Sequence, residues 1–175
     1  QSKIGPILTN DITSLNGGPI VRGIFIQNTN PLVVAPETLK VRKGFSREDL
    51  FTCVHEQFMT ETAKYADILL PATSFVEHDD IYISGGHQHL TYGPKLIKSI
   101  GQSKSNNTLI NALGKKLGSK NQCFKLTEKE IIDITLKKSK LSTYDNLKKK
   151  EYLDLQPTFI ESNFLNGFGH QDKKF

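Results

Sequence analysis

The stretch Ile24-Phe25-Ile26-Gln27-Asn28-Thr29-Asn30-Pro31, then Leu50-Phe51-Thr52-Cys53-Val54-His55-Glu56-Gln57, then Ile68-Leu69-Leu70-Pro71 decides how the chain reads. Each segment opens on a short apolar run and closes on polar residues or proline. Helix-like spacing fills the intervals. This alternation predicts strand, helix, strand, helix, strand, and so a parallel sheet. In open parallel sheets, ligands bind outside the carboxyl ends of the strands. Here those ends are Gln27 to Pro31, His55 to Gln57 and Pro71 to Ser74.

Local signals extend the reading in both directions. Val21 to Ile26 forms the first strand, which Asn30-Pro31 stops. Pro36 to Gly44 reads as a helix, with Pro36 in the first turn, Leu39 and Val41 as apolar contacts, and Gly44 as C-cap. Leu50 to Val54 is the second strand. Thr60 caps a short helix over Glu61 to Ala66, and Ile68 to Leu70 is the third strand. Gln1 to Pro19 reads as a loop. Phe75 to Leu90 reads as an extended loop with short strand pieces, and Leu96 to Ile100 as another strand. Three helices follow. Ser105 caps the first, which runs to Leu117 with Leu109, Ile110 and Leu113 on one side, and Gly118 ends it. Thr127 and Glu130 form a capping box for the second, which runs to Lys138 with Leu126 and Ile131 as its staple. The third runs from Thr143 to Lys150. Pro157 breaks the chain, and Phe159 to Phe175 shows no clear period.

Composition excludes several classes. The chain has 175 residues, 37% hydrophobic and 23% charged, ordinary values for a globular protein. No apolar run approaches the roughly 20 residues of a membrane span. No signal-peptide pattern opens the chain, and Gln1 in place of Met points to a processed chain or a fragment. Cys53 and Cys123 have no metal or redox spacing, which suits a reducing, cytoplasmic setting, and Cys53 reads as a core thiol. The net charge of +5 concentrates between Lys115 and Lys150. That segment has no arginine and almost no interleaved aromatics. It reads as solvated helix faces, with no nucleic acid as partner.

The carboxyl-edge loops carry the candidate chemistry. Gln27 to Pro31 has neither a GxGxxG fingerprint nor a Walker lysine. Its amide side chains, Asn30 among them, can still bond a nucleotide's phosphate or sugar. Glu56 ends the second strand, and an acid in that place can accept from ribose hydroxyls or from a guanine edge. Glu77-His78-Asp79-Asp80 and His87-Gln88-His89 match no defensible metal pattern, so hydrogen-bonded loop histidines are expected and no metal ligand is assigned. No nucleophile has an evident base, so no catalytic residue is assigned.

These residues also carry a resemblance. Asn30-Pro31, Asp49-Leu50-Phe51, His55 to Ala63, Ala66-Asp67-Ile68-Leu69-Leu70-Pro71-Ala72-Thr73 and Glu77-His78-Asp79 are similar in order and spacing to the molybdopterin oxidoreductase family. This family includes dimethyl sulfoxide reductase, formate dehydrogenase and periplasmic nitrate reductase. The likeness extends through Gly93-Pro94 and Ser105-Asn106 to Leu117-Gly118, and more weakly to Phe164-Leu165-Asn166-Gly167-Phe168.

The resemblance implies a doubly wound, Rossmann-like α/β unit: an open, mostly parallel sheet flanked by helices, with a helical C-terminal extension. It implies a molybdopterin guanine dinucleotide cofactor with molybdenum, held here by its guanosine end. By position, Asn30, His55, Glu56, His78 and Asn106 match cofactor contacts. Glu56 stands where many members have Asp, His78 where Lys can stand, and Asn106 where Asp can stand. It further implies residues 1–118 as the cofactor-binding domain and 119–175 as an extension towards a further domain. The molybdenum ligand and any iron–sulfur cluster would lie elsewhere in the same oxidoreductase chain. That remaining chain and an electron-transfer protein are the expected partners, and the isolated segment is expected to be inactive. The residues alone leave two other readings open: a stand-alone Rossmann-type nucleotide module, and a basic nucleic-acid-binding interaction protein.

Overall fold

The computed structural model describes residues 3–174. Their packing divides the chain into two units: Gln1–Glu77 with Lys98–Ile110, and His78–Ile97 with Asn111–Phe175.

The first unit is built on a parallel sheet. Helices α1 (Ile4–Leu8) and α2 (Ile12–Leu15) precede strand β1 (Gly23–Gln27). Helices α3 (Pro31–Val34) and α4 (Thr38–Phe45) lead to β2 (Phe51–Glu56). A 3-10 turn at Ala63–Tyr65 leads to β3 (Ile68–Pro71). The order is β1-β2-β3, and both pairings are parallel. This is the open parallel sheet flanked by helices that was expected, and among the described strands its order shows no reversal.

Register sorts the side chains onto two faces. Ile24, Ile26 and Val54 face the core, with Leu8, Leu32, Val41, Phe45 and Leu50 packed beside them. Val41 and Val54 are fully buried, worth roughly 1.5–3 kcal/mol each against exposure. On the opposite face Phe25, Cys53 and Ile68 align in one row across the three strands. Phe25 and Ile68 remain exposed there.

Two readings of this unit need correction. The expected N-terminal loop contains α1 and α2. α1 has no local helix signal. It forms because it packs on α4, and the Arg47 guanidinium donates to Leu8 O at 2.9 Å, satisfying a terminal carbonyl. Gly44 is not a C-cap. It lies inside α4, where a Cβ would overlap that of Leu8, so glycine permits the helices to approach. Thr60 does act as the cap expected of it, accepting from Ala63 N at 3.1 Å, but the turn it starts is 3-10.

The second unit holds an antiparallel sheet. Strands β4 (Asp80–Ile83) and β5 (His89–Gly93) pair as a hairpin. Helix α5 (Asn106–Lys116) begins in the first unit's segment and ends in the second's. Helices α6 (Glu128–Lys138) and α7 (Tyr144–Lys150) then lead to β6 (Tyr152–Asp154), which pairs with β5. α8 (Phe159–Ser162) follows. The core here is Leu90, Ile132, Leu136, Tyr144 and Leu147. Inside it the Tyr144 hydroxyl donates to Asp79 Oδ2 at 2.9 Å, and the Tyr92 hydroxyl lies 2.9 Å from that of Tyr144. Burial and these bonds push the Tyr92 hydroxyl far above its usual range.

The capping box at Thr127 is as the sequence predicts, and Thr143 stands just before α7 as its N-cap. Phe75 to Leu90 is loop with short strand pieces, as expected: β4 and the start of β5. Two other features differ. Leu96 to Ile100 is not a strand. The segment after Pro157 contains α8, held by a Thr158–Glu161 capping box. Phe175, within that last segment, lies outside the described residues. No described helix is long and apolar enough to cross a membrane.

Candidate functional site

The carboxyl ends of the parallel strands gather a polar network. Gln27 ends β1 and sits opposite His55 of β2 in register. The Gln27 amide Nε2 lies 3.0 Å from His55 Nδ1 and donates to Asn106 Oδ1 at 3.1 Å. His55 Nε2 faces the Lys104 carbonyl at 3.1 Å. A carbonyl only accepts, so His55 donates from Nε2 and accepts at Nδ1 from the Gln27 amide. This assigns the neutral Nε2–H tautomer. His55 is fully buried and both ring nitrogens are engaged within the protein.

Lys104 reaches His55 because a short ladder ties its segment to β3. Lys104 N donates to Pro71 O at 3.0 Å, and Thr73 N donates to Lys104 O at 3.1 Å. This is a parallel bridge between Ala72 and Lys104. It places the start of α5, and so Asn106, beside the strand ends.

Glu56 is the last residue of β2 and is half-buried. Its Oε1 accepts from Gln57 N at 2.7 Å. Its other carboxylate oxygen has no partner among the described residues. Asn30 stands at the N-cap position of α3, and its Oδ1 accepts from the Thr62 hydroxyl and N–H. The Asn30 amide nitrogen is left without a described partner. His78 belongs to the second unit, where its Nε2 lies 3.8 Å from Asp80 Oδ2. The structure thus joins His55 and Asn106 through Gln27, while Glu56, the next residue of β2, turns its side chain to the other face of the sheet. Asn30 stands on the loop after β1 in the same unit.

A cavity of about 320 Å³ opens at the carboxyl ends of β2 and β3. Gln57, Ser74, Glu77 and Ser103 supply its polar lining. Glu77 is 4% exposed. Its carboxylate accepts from Ser74 N at 2.7 Å and Ile100 N at 2.6 Å, and the Ser103 hydroxyl lies 3.5 Å away. The Ser74 N–H, then the Ile100 N–H, hold this carboxyl below its usual range. Sequence reasoning assigned no role to Glu77 or Lys104. Gln27 carried a weak signal as the polar end of a strand. Lys104 carried none, since it acts through its main chain. Among the described residues, no group of three or more His, Cys, Asp or Glu side chains is placed to hold a metal ion.

The chain is similar to several known proteins. Probable oxidoreductase YoaE of Bacillus subtilis (strain 168) is 47% identical over 118 residues, covering 67% of this chain and 17% of that protein. The assimilatory nitrate reductase catalytic subunit of the same organism is 33% identical over 118 residues, covering 67% of this chain and 16% of that subunit. The chain therefore spans about a sixth of the length of these relatives. Among solved structures, acetylene hydratase from Pelobacter acetylenicus superposes with a TM-score of 0.71 at 18% identity, covering 98% of this chain and 23% of that one. That likeness shows the fold. The family model for molybdopterin oxidoreductase matches residues 9–116, the whole parallel sheet with its carboxyl-edge network, and the chain belongs to the molybdopterin oxidoreductase family.

Proposed function

We propose that the carboxyl edge of the β1-β2-β3 sheet binds the guanosine end of a molybdopterin guanine dinucleotide within a larger molybdenum-dependent oxidoreductase. The observation that carries this reading is the joining of Gln27, His55 and Asn106 at that edge, where Glu56 also ends β2, in a family defined by its pterin cofactor.

The donor set fits such a ligand. A guanine edge offers a ring N–H and an amino group, and a ribose offers hydroxyls, all of which a carboxylate can accept. Glu56 supplies that acceptor with its unengaged oxygen. Asn106 and Asn30 each have the side-chain oxygen occupied inside the protein, which leaves the amide nitrogen as a donor. His55 takes a different part from the one the resemblance implies. Being sealed from solvent, it holds Lys104 and Gln27 in place and does not touch the ligand.

When bound, the cofactor supplies transfer of an oxygen atom or a hydride equivalent at molybdenum, coupled to electron passage through the pterins. This chain's residues bind and orient the tail. The rest of such an enzyme would hold the molybdenum ligand and any iron–sulfur cluster.

The test is Glu56→Ala in the full-length enzyme, with guanine nucleotide released on acid denaturation and molybdenum content as readouts. Both are expected to fall while circular dichroism is unchanged, and Glu56→Gln should retain more than Glu56→Ala. Full cofactor content in Glu56→Ala would remove the assignment.

A further inference from the structure

Strand β6 is the outer strand of the second sheet, whose order is β4-β5-β6. Tyr92 N donates to Glu151 O at 2.8 Å, and Leu155 N to Gln88 O at 2.9 Å. In an antiparallel pair, residues with main-chain groups turned to the partner alternate with residues turned away. Glu151, Leu153 and Leu155 therefore face β5. Tyr152 and Asp154 turn their N–H and C=O groups outward, and no described residue takes them.

A groove of about 540 Å³ lies beside this edge. Its lining comprises Tyr152 to Leu155 together with Lys140, Leu141 and Lys150. Leu141 is 43% and Tyr152 51% exposed, so the groove carries apolar surface. Its charge is cationic, and Lys148 and Lys149 precede Lys150 in the last turn of α7. The one acid on the lining is Asp154, and its Oδ1 is already engaged by Gln156 N at 2.9 Å.

Outward main-chain donors and acceptors, an apolar contact and flanking lysines together specify a ligand. We propose that the β6 edge is a docking site for an extended, acidic segment of a partner protein, which joins the sheet as a further strand. Main-chain pairing with Tyr152 and Asp154 supplies the affinity common to strand addition, and side-chain pockets supply the selectivity. Acidic side chains of the segment meet Lys140 and Lys150, while its apolar ones lie on Leu141 and Tyr152. Lysines near a sheet edge deter like edges from pairing. A second copy of this chain would bring the same lysines opposite these, so the fitting partner is acidic and different from this chain. The proposal is independent of the cofactor reading, since every residue it uses lies in the second unit.

The experiment uses the full-length protein and a synthetic peptide alternating glutamate and valine. Fluorescence polarisation at low salt should show saturable binding that weakens as salt rises. Hydrogen exchange should slow at the Tyr152 and Asp154 amides on binding, with Leu153 and Leu155 unchanged. Lys140→Glu combined with Lys150→Glu should weaken binding about tenfold or more, whereas Lys120→Glu should not. A peptide N-methylated at every second amide should fail to bind. Absence of saturable binding, equal binding of the N-methylated peptide, or exchange protection that misses Tyr152 and Asp154 each overturns the proposal. So does equal, competing binding of oligothymidylate, which would make the groove a general polyanion site. The exchange arm needs no variant, so a misfolded double mutant leaves the test decisive.

Discussion

The Asn30 side-chain oxygen accepts two hydrogen bonds from Thr62, one from its hydroxyl at 2.7 Å and one from its backbone N–H at 3.2 Å. The same hydroxyl accepts from Leu32 N at 3.1 Å. Thr62 is fully buried, so it forms a dry relay from the first turn of α3 to the turn after β2. Thr62→Val preserves the shape and removes the relay, leaving the Leu32 N–H unsatisfied. We expect a loss of roughly 1–3 kcal/mol in chemical denaturation. A change under about 0.3 kcal/mol would show that water replaces the hydroxyl, contrary to the buried geometry.

Thr52 presents the opposite case. It is fully buried, and its Oγ1 has no hydrogen-bond partner. Its backbone is well satisfied, with N–H donating to Asp67 Oδ2 at 2.6 Å. Thr52→Val keeps the β-branched shape suited to the strand and removes a desolvated hydroxyl. The variant should be more stable by about 1 kcal/mol. Denaturant midpoints at equal m-value decide the matter, and a lower midpoint for the variant sinks the reasoning.

Gly44→Ala sets two effects against each other. Helix propensity alone favours alanine by about 1 kcal/mol inside a helix. The added methyl, however, would overlap Leu8 Cβ across the α1–α4 contact. Overpacking of this kind costs roughly 1–3 kcal/mol, so the net effect should be destabilising. Leu8→Ala in the Gly44→Ala background should recover part of the loss. Strict additivity of the two substitutions would deny the contact its role.

Acid should loosen the loop that Glu77 braces. Its folded carboxyl is held below the ordinary value of 4.5, chiefly by the Ser74 and Ile100 N–H groups. A lowered folded value means the contribution is complete above the unfolded value and is lost as pH falls through the folded one. Stability should therefore decline as pH drops below about 4.5. Glu77→Gln should be less stable at neutral pH and should flatten that acid limb. Melting temperatures across pH 3 to 7, on the order of four points per variant, are sufficient. An unchanged acid limb in Glu77→Gln would falsify this account.

The legible parts of the fold were those with short-range causes. Thr127–Glu130, Thr143 and Ser105 mark their helices within a single turn, and the three apolar runs mark the parallel strands. The helix α1 was hidden because its stability comes from α4 and from Arg47, far along the chain. Short strand pieces were legible before Leu90, but their pairing as the β4–β5 hairpin was hidden by the histidines and glycines that join them. In the candidate site, Glu56 and Asn30 were legible as polar residues at strand ends. The part played by His55 was not, since its ring partners stand 28 and 49 positions away. A polar residue at a strand end looks the same in sequence whether it faces a ligand or is sealed beneath one.

The bridge between Ala72 and Lys104 bears on how the polypeptide matures during translation. His55 leaves the ribosome 49 residues before the carbonyl that receives its Nε2–H. At a synthesis rate of about 5–20 residues per second, the imidazole waits roughly 2–10 seconds for that partner. Once Pro71 has emerged the three parallel strands are present, yet their polar edge is unassembled. Completion of the polar edge is thus timed by the emergence of Lys104 and Asn106, so a nascent chain assembles that edge only after the residues of the β4–β5 hairpin have been made.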